Sequence, residues 1–267
     1  MKSILAASVL FSVLFLGCAS YRNFLDLNIT MVPVFAGSFI MGSPDSLYEG
    51  AELSLPRHKV RLPFFLMSAY EISQLQFSKV MGRNPSKFKR DDNPVTWISW
   101  LEAIEFCNRL SRIAGLEPCY YKHNGNWLCD FHRKGFRLPT EAEWEYACRA
   151  GTDGKYCSGD SEKDLARVAW YVANSDSTTH SVAVKEPNAW GLYDMHGNVW
   201  EMCYDWYDKD YYSDGIEYFP IGPEKGRKRI VRGGSYFSGA EKCRSDYRMT
   251  HFQDFRYYNV GFRVVRR

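Results

Sequence analysis

Apolar residues alternate with small or polar ones over residues 31–43, and the stretch ends in the pair Gly42-Ser43. A period of two is typical of a strand with one buried face, and a Gly-Ser pair is typical of a turn. Residues 44–58 are polar and are predicted to form a loop, whereas residues 60–70 are predicted to be extended again. The globular part of the chain is therefore predicted to begin with extended segments.

Helical spacing begins after Ser73, which is predicted to be the N-cap of a short helix. Two further helix starts are indicated by capping-box pairs, Ser99 with Glu102 and Thr140 with Glu143. After Ser99 the apolar residues fall on one helical face. These residues are Trp100, Leu101, Ala103, Ile104, Cys107 and Leu110.

After about residue 150 the chain is rich in Gly, Asn, Asp and aromatic residues, which predicts loops and short strands. The chain is 45% hydrophobic, which is enough for a packed core, and no repeat or low-complexity linker follows residue 30. We therefore predict one α+β domain, residues 31–267, with two main helices in its N-terminal half and little regular secondary structure. So much irregular backbone needs hydrogen-bond partners other than sheet ladders.

Residues 1–17 are predicted to be a signal peptide, because Lys2 precedes a short apolar run that ends just before Cys18. A small residue before Cys18 is typical of a lipoprotein cleavage site, so Cys18 is predicted to carry the lipids and residues 18–30 to form a tether. The alternative is a plain secretory signal in which Cys18 is incidental. We expect an exported protein, lipid-anchored to the bacterial outer membrane or cell surface.

Several segments resemble the formylglycine-generating-enzyme (sulfatase-modifying factor) domain, and they occur in the family's order across residues 31–267. They are residues 39–43, 94–100, 135–145, 188–201, 231–235 and 261–265. The resemblance implies an irregular α+β domain with a C-type-lectin-like core. It also implies that the first and last strands lie close together, which makes residues 35–41 and 262–265 candidate neighbours.

The family places a structural calcium ion at the segment that holds Asn198, Val199 and Glu201, and a second one at an upstream Asn that Asn174 matches. Carbonyl and carboxylate oxygens of this kind suit a hard cation such as Ca²⁺. The alternative is that these side chains bond to loop backbone. A structural calcium ion is therefore an expectation from the resemblance.

Catalytic members of the family hold copper with a cysteine pair, and the first of these cysteines stands two residues after Gly-Gly-Ser-Tyr. Here Ser238 occupies that position, and Cys243 matches a later structural element. The seven cysteines after Cys18 form no Cys-x-x-Cys, and no His-x-x-x-His pair occurs. We therefore expect no catalytic residue and no catalytic cofactor.

The C-terminal stretch, about residues 232–260, has the Tyr, Ser, Gly and Asn content of an antibody paratope. Together with the lost cysteine pair, it resembles the variable proteins of diversity-generating retroelements. The candidate variable, ligand-binding residues are Tyr236, Phe237, Ser238, Gly239, Asp246, Tyr247, Thr250, His251, Phe252, Asp254, Phe255, Tyr257, Tyr258 and Asn259. Their side chains are expected on one exposed face, and the alternative is that the aromatic ones fill the core. The family's scaffold positions are expected to be buried or bonded: Trp200, Trp206, Arg248 and Phe262.

These patterns predict a surface-displayed, non-catalytic ligand-binding lipoprotein with an exchangeable C-terminal site. Its partner is expected to be a protein or surface polymer of another cell, and the protein itself is expected to be a monomer. A net charge of +3 without a basic stripe excludes nucleic acid. Two alternatives remain: an exported formylglycine-generating-type metal or thiol enzyme, and a structural accessory protein of the envelope.

The lipid anchor predicts that Cys18→Ala releases the protein from membranes, because an unlipidated tether has no other apolar segment to hold it there. Detergent phase partitioning of cell extracts measures this. Retention of the variant in the detergent phase, at the level of the unaltered protein, contradicts the anchor.

Overall fold

Capping boxes begin all four α-helices of the computed structural model, which describes residues 26–44 and 50–267. The helices are α1 (Gln74–Met81), α2 (Trp100–Ile113), α3 (Glu141–Arg149) and α4 (Glu162–Val168). The expected caps Ser73, Ser99 and Thr140 are confirmed, since each side chain accepts a hydrogen bond from the backbone three residues later. The predicted signal peptide, Cys18 and most of the tether lie outside the described residues. Within the described ranges, none of the helices combines the length and the apolar character needed to cross a bilayer.

The strands are short and form five small sheets. They are β1 (Met31–Val34), β2 (Gly37–Met41), β3 (His58–Leu62), β4 (Phe65–Ser68), β5 (Tyr120–His123), β6 (Asn126–Cys129), β7 (Ala169–Trp170), β8 (His196–Gly197), β9 (Trp200–Trp206), β10 (Arg229–Arg232), β11 (Met249–His251), β12 (Val260–Gly261) and β13 (Val265–Arg266). Three of the sheets have two strands each, β2-β3, β5-β6 and β7-β8, and the other two have three and four strands. The predicted class, α+β with little regular secondary structure, is confirmed.

The two ends of the domain meet in the three-stranded sheet, whose order is β1-β4-β13. Strand β4 pairs with β1 on one side and with β13 on the other, both antiparallel. The expectation that the first and last strands lie close together is confirmed, since β4 alone separates β1 from β13 in this sheet. The candidate neighbours 35–41 lie outside it, because residues Gly37–Met41 pair antiparallel with β3.

Aromatic side chains from distant segments fill the core behind α2. Phe77 of α1 stacks on Phe106 of α2 with ring centroids 5.6 Å apart, and Phe262 meets Phe106 edge to face at 5.2 Å. Cys107 is fully buried among them, as expected of a small hydrophobic side chain. The expected burial of the scaffold positions Trp200, Arg248 and Phe262 is confirmed, and the half-buried ring of Trp206 lies 3.4 Å from a guanidinium group.

Helix α3 is buried along its whole length, although three of its nine residues are glutamates. Each glutamate meets a different arginine. Glu141 binds Arg248 through two hydrogen bonds of 2.7 and 2.8 Å, and Glu143 binds Arg137 through two of 2.6 and 2.7 Å. Glu145 contacts Arg149 at 2.9 Å and Arg232 through a short charged hydrogen bond. The charges of α3 therefore tie it to strand β10 and to the C-terminal part of the chain.

A fifth buried pair joins Glu201 of β9 to Arg263. Their two hydrogen bonds measure 2.6 and 2.7 Å, and the indole of Trp144 donates a third bond of 2.8 Å to the same carboxylate. The remaining guanidinium hydrogens reach backbone carbonyls of Ser68 and Tyr193. The Glu201 carboxylate thus links strand β9 to helix α3 and to the segment just before the last strand.

We expect Glu201→Gln to destabilise the domain by about 3–5 kcal/mol, because it leaves the buried charge of Arg263 without its partner. Chemical denaturation at neutral pH measures the loss. The matched control is Glu105→Gln, which breaks the exposed i,i+4 pair with Arg109 and is expected to cost less than about 0.5 kcal/mol. Equal stability of the two variants contradicts the structural role of the Glu201 pair.

Candidate functional site

The loop between β11 and β12 carries most of the exposed C-terminal aromatic residues. Strands β11 and β12 are the two edges of the four-stranded sheet, whose order is β11-β10-β9-β12, so this loop crosses from one edge to the other. Backbone hydrogen bonds hold it in place: the Trp100 amide donates to the Gln253 carbonyl at 3.0 Å, and the Trp97 amide donates to the Tyr257 carbonyl at 2.9 Å. The loop is therefore positioned by main-chain bonds to the segment that begins α2.

Four aromatic rings of this loop and one ring of the segment before α2 form a surface that we call the aromatic strip: Phe252, Phe255, Tyr257 and Tyr258 from the loop, and Trp97. Phe252 and Phe255 have ring centroids 5.2 Å apart, and Phe255 and Tyr257 are 6.3 Å apart. Tyr258 stacks on Trp97 at 4.6 Å with nearly parallel planes. Because Phe255 and Tyr258 are half or more exposed, the strip offers apolar area and a phenol hydroxyl to solvent, as interaction sites do.

Trp97 belongs to this surface although sequence reasoning did not single it out. Its backbone has φ +61°, a left-handed conformation that is uncommon for a large side chain, and its ring is 38% exposed. The hydrogen bond to Tyr257 and the stacking on Tyr258 hold it there. Nothing in the pattern around residue 97 could have indicated this, because the contact is made across 160 residues of chain.

A lysine lies over each end of the strip. The ammonium group of Lys87 is 5.5 Å from the ring centroid of Tyr258 and 5.4 Å from that of Phe88, and the ammonium group of Lys228 is 5.1 Å from that of Phe252. Cation–π attraction thus holds a positive charge beside the rings at both ends of the strip.

His251 lies beneath the strip, with its ring centroid 4.0 Å from that of Tyr257. Burial and the nearby charge of Lys228 lower the pKa of His251 to about 4. The imidazole is therefore neutral at physiological pH and contributes ring area rather than charge.

Phe237 is the most exposed of the aromatic candidates, at 68%. It lies on the turn after Gly233-Gly234, and the Asn259 amide joins that turn to the end of the strip by donating to the Ser235 hydroxyl at 3.2 Å. Gly239 and Asp254 are exposed as expected, and Thr250 and Asn259 are half-buried. Phe237 and the strip thus lie at neighbouring parts of the surface.

The expected exposure is wrong for four candidates, which are buried: Tyr236, Ser238, Asp246 and Tyr247. The Ser238 hydroxyl accepts the amide hydrogen of Ser235 at 3.0 Å and so closes the turn. Asp246 binds Arg244 through two hydrogen bonds of 2.9 Å. These residues hold the scaffold, because they belong to the turn and to the arginine-rich segment that packs against α3.

The backbone of the other two buried candidates also serves the scaffold. The Tyr236 amide donates to the Asn198 carbonyl at 2.8 Å, and the Tyr236 carbonyl accepts the Ser175 hydroxyl hydrogen at 2.7 Å. The Tyr247 carbonyl accepts from Arg232 at 2.7 Å, while its ring packs near Trp200. A large side chain at either position cannot be exchanged freely.

The side-chain oxygens expected to bind calcium accept hydrogen bonds from protein donors. Arg263 takes both oxygens of Glu201, and the Asn198 amide oxygen accepts the His180 amide hydrogen at 3.0 Å. Asn174 bonds the backbone on both sides of its amide group, to Tyr171 and to Ala169. Across residues 26–44 and 50–267 no three His, Cys, Asp or Glu side chains group as metal ligands. The side-chain oxygens of Asn198, Glu201 and Asn174 are thus used in bonds within the protein, and a calcium ion at Asn198, Val199 and Glu201 or at Asn174 stays a prediction.

The thiols of the described residues do not form a reactive pair near the Gly-Gly-Ser turn. Cys243 is fully buried, and burial raises the pKa of its thiol to about 12. The Cys148 thiol lies 3.6 Å from His196, but burial raises the pKa of Cys148 to about 12 as well. Both thiols are therefore protonated at neutral pH and are poor nucleophiles and poor soft-metal ligands.

Comparison with known families agrees with this architecture. A model of the Sulfatase-modifying factor enzyme 1-like domain matches residues 25–267. The solved structure of Treponema denticola variable protein 1 superposes with a TM-score of 0.80 at 36% identity, covering 90% of this chain and 95% of that one.

Proteins of similar sequence include a chaperone protein and an enzyme. The chaperone protein LppX of Paenibacillus barcinonensis is 30% identical over 232 residues, which is 75% of this chain and 79% of that protein. The formylglycine-generating enzyme of Mus musculus is 26% identical, over 88% of this chain and 74% of its own length. The names of these relatives indicate different activities, so the function of this chain has to be argued from its own site.

Proposed function

The chain belongs to the sulfatase-modifying factor enzyme 1-like domain family, and we propose that it is a non-catalytic ligand-binding member, exported and displayed on the cell surface by a lipid anchor. The aromatic strip and Phe237 are its binding surface. The observation that carries this proposal is the separation of roles in the C-terminal stretch: exposed aromatic residues alternate there with buried residues that hold the scaffold.

Exchangeability of the surface is supported by how the loop is held. Main-chain bonds from Trp97 and Trp100 fix the loop, so its position does not depend on the strip's own side chains. Replacing an exposed side chain usually changes stability by no more than about 0.5 kcal/mol, whereas truncating a buried aromatic one costs about 3–5 kcal/mol. A surface made of exposed side chains can therefore vary in sequence without unfolding the protein.

The likeness to a variable protein supports the same proposal. In the variable proteins of diversity-generating retroelements, which the C-terminal stretch resembles, selected codons of one gene segment are exchanged. Exposed Phe, Tyr and Asp residues between the two edge strands suit such exchange. The partner we propose is a protein or surface polymer of another cell.

Enzymatic function is disfavoured by the chemistry of the turn. Two-thiolate copper binding needs two accessible sulfurs, since soft Cu(I) prefers thiolate ligands. At the turn, Ser238 replaces the first sulfur and closes a hydrogen bond instead, while the buried Cys243 thiol stays protonated. We therefore propose that the family's oxidase activity is absent here.

The exchangeable surface predicts that a library randomised at Phe237, Phe252, Phe255, Tyr257 and Tyr258 stays folded and yields binders. Display selection against a defined target, hen lysozyme, measures binding, and thermal melting of unselected clones measures stability. The control library randomises Tyr236, Ser238 and Tyr247, and most of its clones are expected to unfold. Equal tolerance of the two libraries, or general unfolding of the first one, contradicts the proposal.

The absence of oxidase activity predicts that the purified protein, given copper and oxygen, leaves the cysteine of a sulfatase-derived peptide unchanged. Mass spectrometry of the peptide detects conversion to the aldehyde. A formylglycine-generating enzyme serves as the positive control. Turnover that disappears in Cys243→Ser restores the enzyme alternative.

A further inference from the structure

A basic groove lies beside the Phe252 end of the aromatic strip. Its volume is about 690 Å³, and its charged lining includes Lys209, Lys225, Arg227 and Lys228. The rings of Tyr207 and Phe252 also line it, so the groove and the strip share Phe252. We call this concavity the basic groove.

The positive charge of this groove is largely unneutralised. Within the described part of the chain, Lys225, Arg227 and Lys228 have no carboxylate within salt-bridge distance, while Lys209 lies 3.9 Å from Asp210. Asp208 is the acidic residue of the lining. Four cations beside one carboxylate attract an anionic partner and favour its fast association.

The groove adjoins strand β10 of the four-stranded sheet. Arg229 follows Lys228 in the chain. Its guanidinium group lies 3.7 Å from the ring centroid of Trp100 and 3.4 Å from that of Trp206, and it donates a hydrogen bond of 2.6 Å to the Tyr204 carbonyl. The Tyr207 amide donates to the Lys228 carbonyl at 2.9 Å. The backbone at Lys228 is therefore tied to the sheet and to Tyr207, which also lines the groove.

We propose that the basic groove binds an acidic polysaccharide, a polymer with sulfate or uronate groups, and delivers it to the aromatic strip. This inference rests on the proposed function, because it names the chemical class of that surface's ligand. Lys228 joins the two regions, since it lines the groove and lies over the ring of Phe252.

The chemistry of the lining favours a polysaccharide over an acidic peptide. Lysine and arginine side chains donate hydrogen bonds and accept none, so the lining is rich in donors, and Asp208 and the Tyr207 hydroxyl are its side-chain acceptors. A peptide would bring backbone N–H groups that need acceptors, whereas sulfates and uronates need donors. The faces of Tyr207 and Phe252 supply flat apolar area against which a sugar ring can pack.

The cations of the groove lie before the candidate variable stretch, which starts at about residue 232. Exchange of residues in the strip therefore leaves Lys209, Lys225 and Arg227 unchanged. The groove recognises what acidic polysaccharides have in common, and the strip selects among them or among the molecules that carry them.

The experiment measures binding of the folded domain to immobilised heparin, a sulfated polysaccharide, over a series of salt concentrations. In the variant Lys209→Ser/Lys225→Ser/Arg227→Ser we expect an affinity loss of about tenfold or more. The salt dependence should also become shallower, because a protein with fewer cations displaces fewer counterions from heparin when it binds. The matched control, Lys122→Ser/Lys134→Ser/Lys163→Ser, removes the same charge from exposed positions elsewhere. It should bind heparin like the unaltered protein.

Unchanged heparin binding in the groove variant, or an equal loss in the control, overturns the proposal. So does binding of poly-glutamate or of a DNA oligonucleotide as tight as that of heparin, which would show a general polyanion site. These outcomes leave the proposed function standing, because the strip library selected against lysozyme varies the shared Phe252 but leaves the four cations of the groove unchanged. Conversely, unfolding of that library refutes the exchangeable strip while heparin binding still reports on the groove.

Discussion

The buried charges of α3 are the constraint on which the rest of the structure depends. Three carboxylates within nine residues are removed from water, and an isolated buried charge costs several kcal/mol unless it is paired. Glu141, Glu143 and Glu145 satisfy this requirement with Arg248, Arg137 and Arg232, each from a different segment. The hydrophobic core alone could not specify how these segments are placed, because apolar contacts are non-directional, whereas a two-bonded arginine–carboxylate pair has one geometry.

This network explains how a chain with so little sheet stays ordered. The arginines use their remaining hydrogens on backbone carbonyls, as Arg263 does at Ser68 and Tyr193 and Arg232 does at Ser245. Irregular backbone thereby obtains the partners that ladders would otherwise supply. Those bonds come from buried side chains, and the exposed phenylalanines of the C-terminal stretch take no part in them. Buried and exposed positions therefore alternate residue by residue, even between the neighbours Tyr236 and Phe237.

Where the sequence pattern is local, its predictions agree with the structure. A capping box needs two residues three apart, so Ser99 and Thr140 could be recognised as helix starts without knowledge of the fold. Predictions that depended on partners distant in the sequence agree less well with the structure. Glu201 and Asn198 have the oxygens of a calcium site, yet Arg263 and His180 bind those oxygens. The first and last strands share one sheet as expected, but β4 lies between them, and residues 37–41 pair with β3 instead.

The sequence by itself determined the family, the class of fold, three of the four helix starts and the C-terminal excess of aromatic residues, since all of these depend on composition and short spacing; the short helix Glu162–Val168 was missed. Only the tertiary structure decided which of those aromatic residues face solvent. Tyr247 and Tyr258 are the same residue type in the same stretch, but one packs near Trp200 and the other stacks on Trp97 at the surface. Burial depends on partners distant in sequence, and no local period marks the difference where the chain follows neither a helix nor a strand.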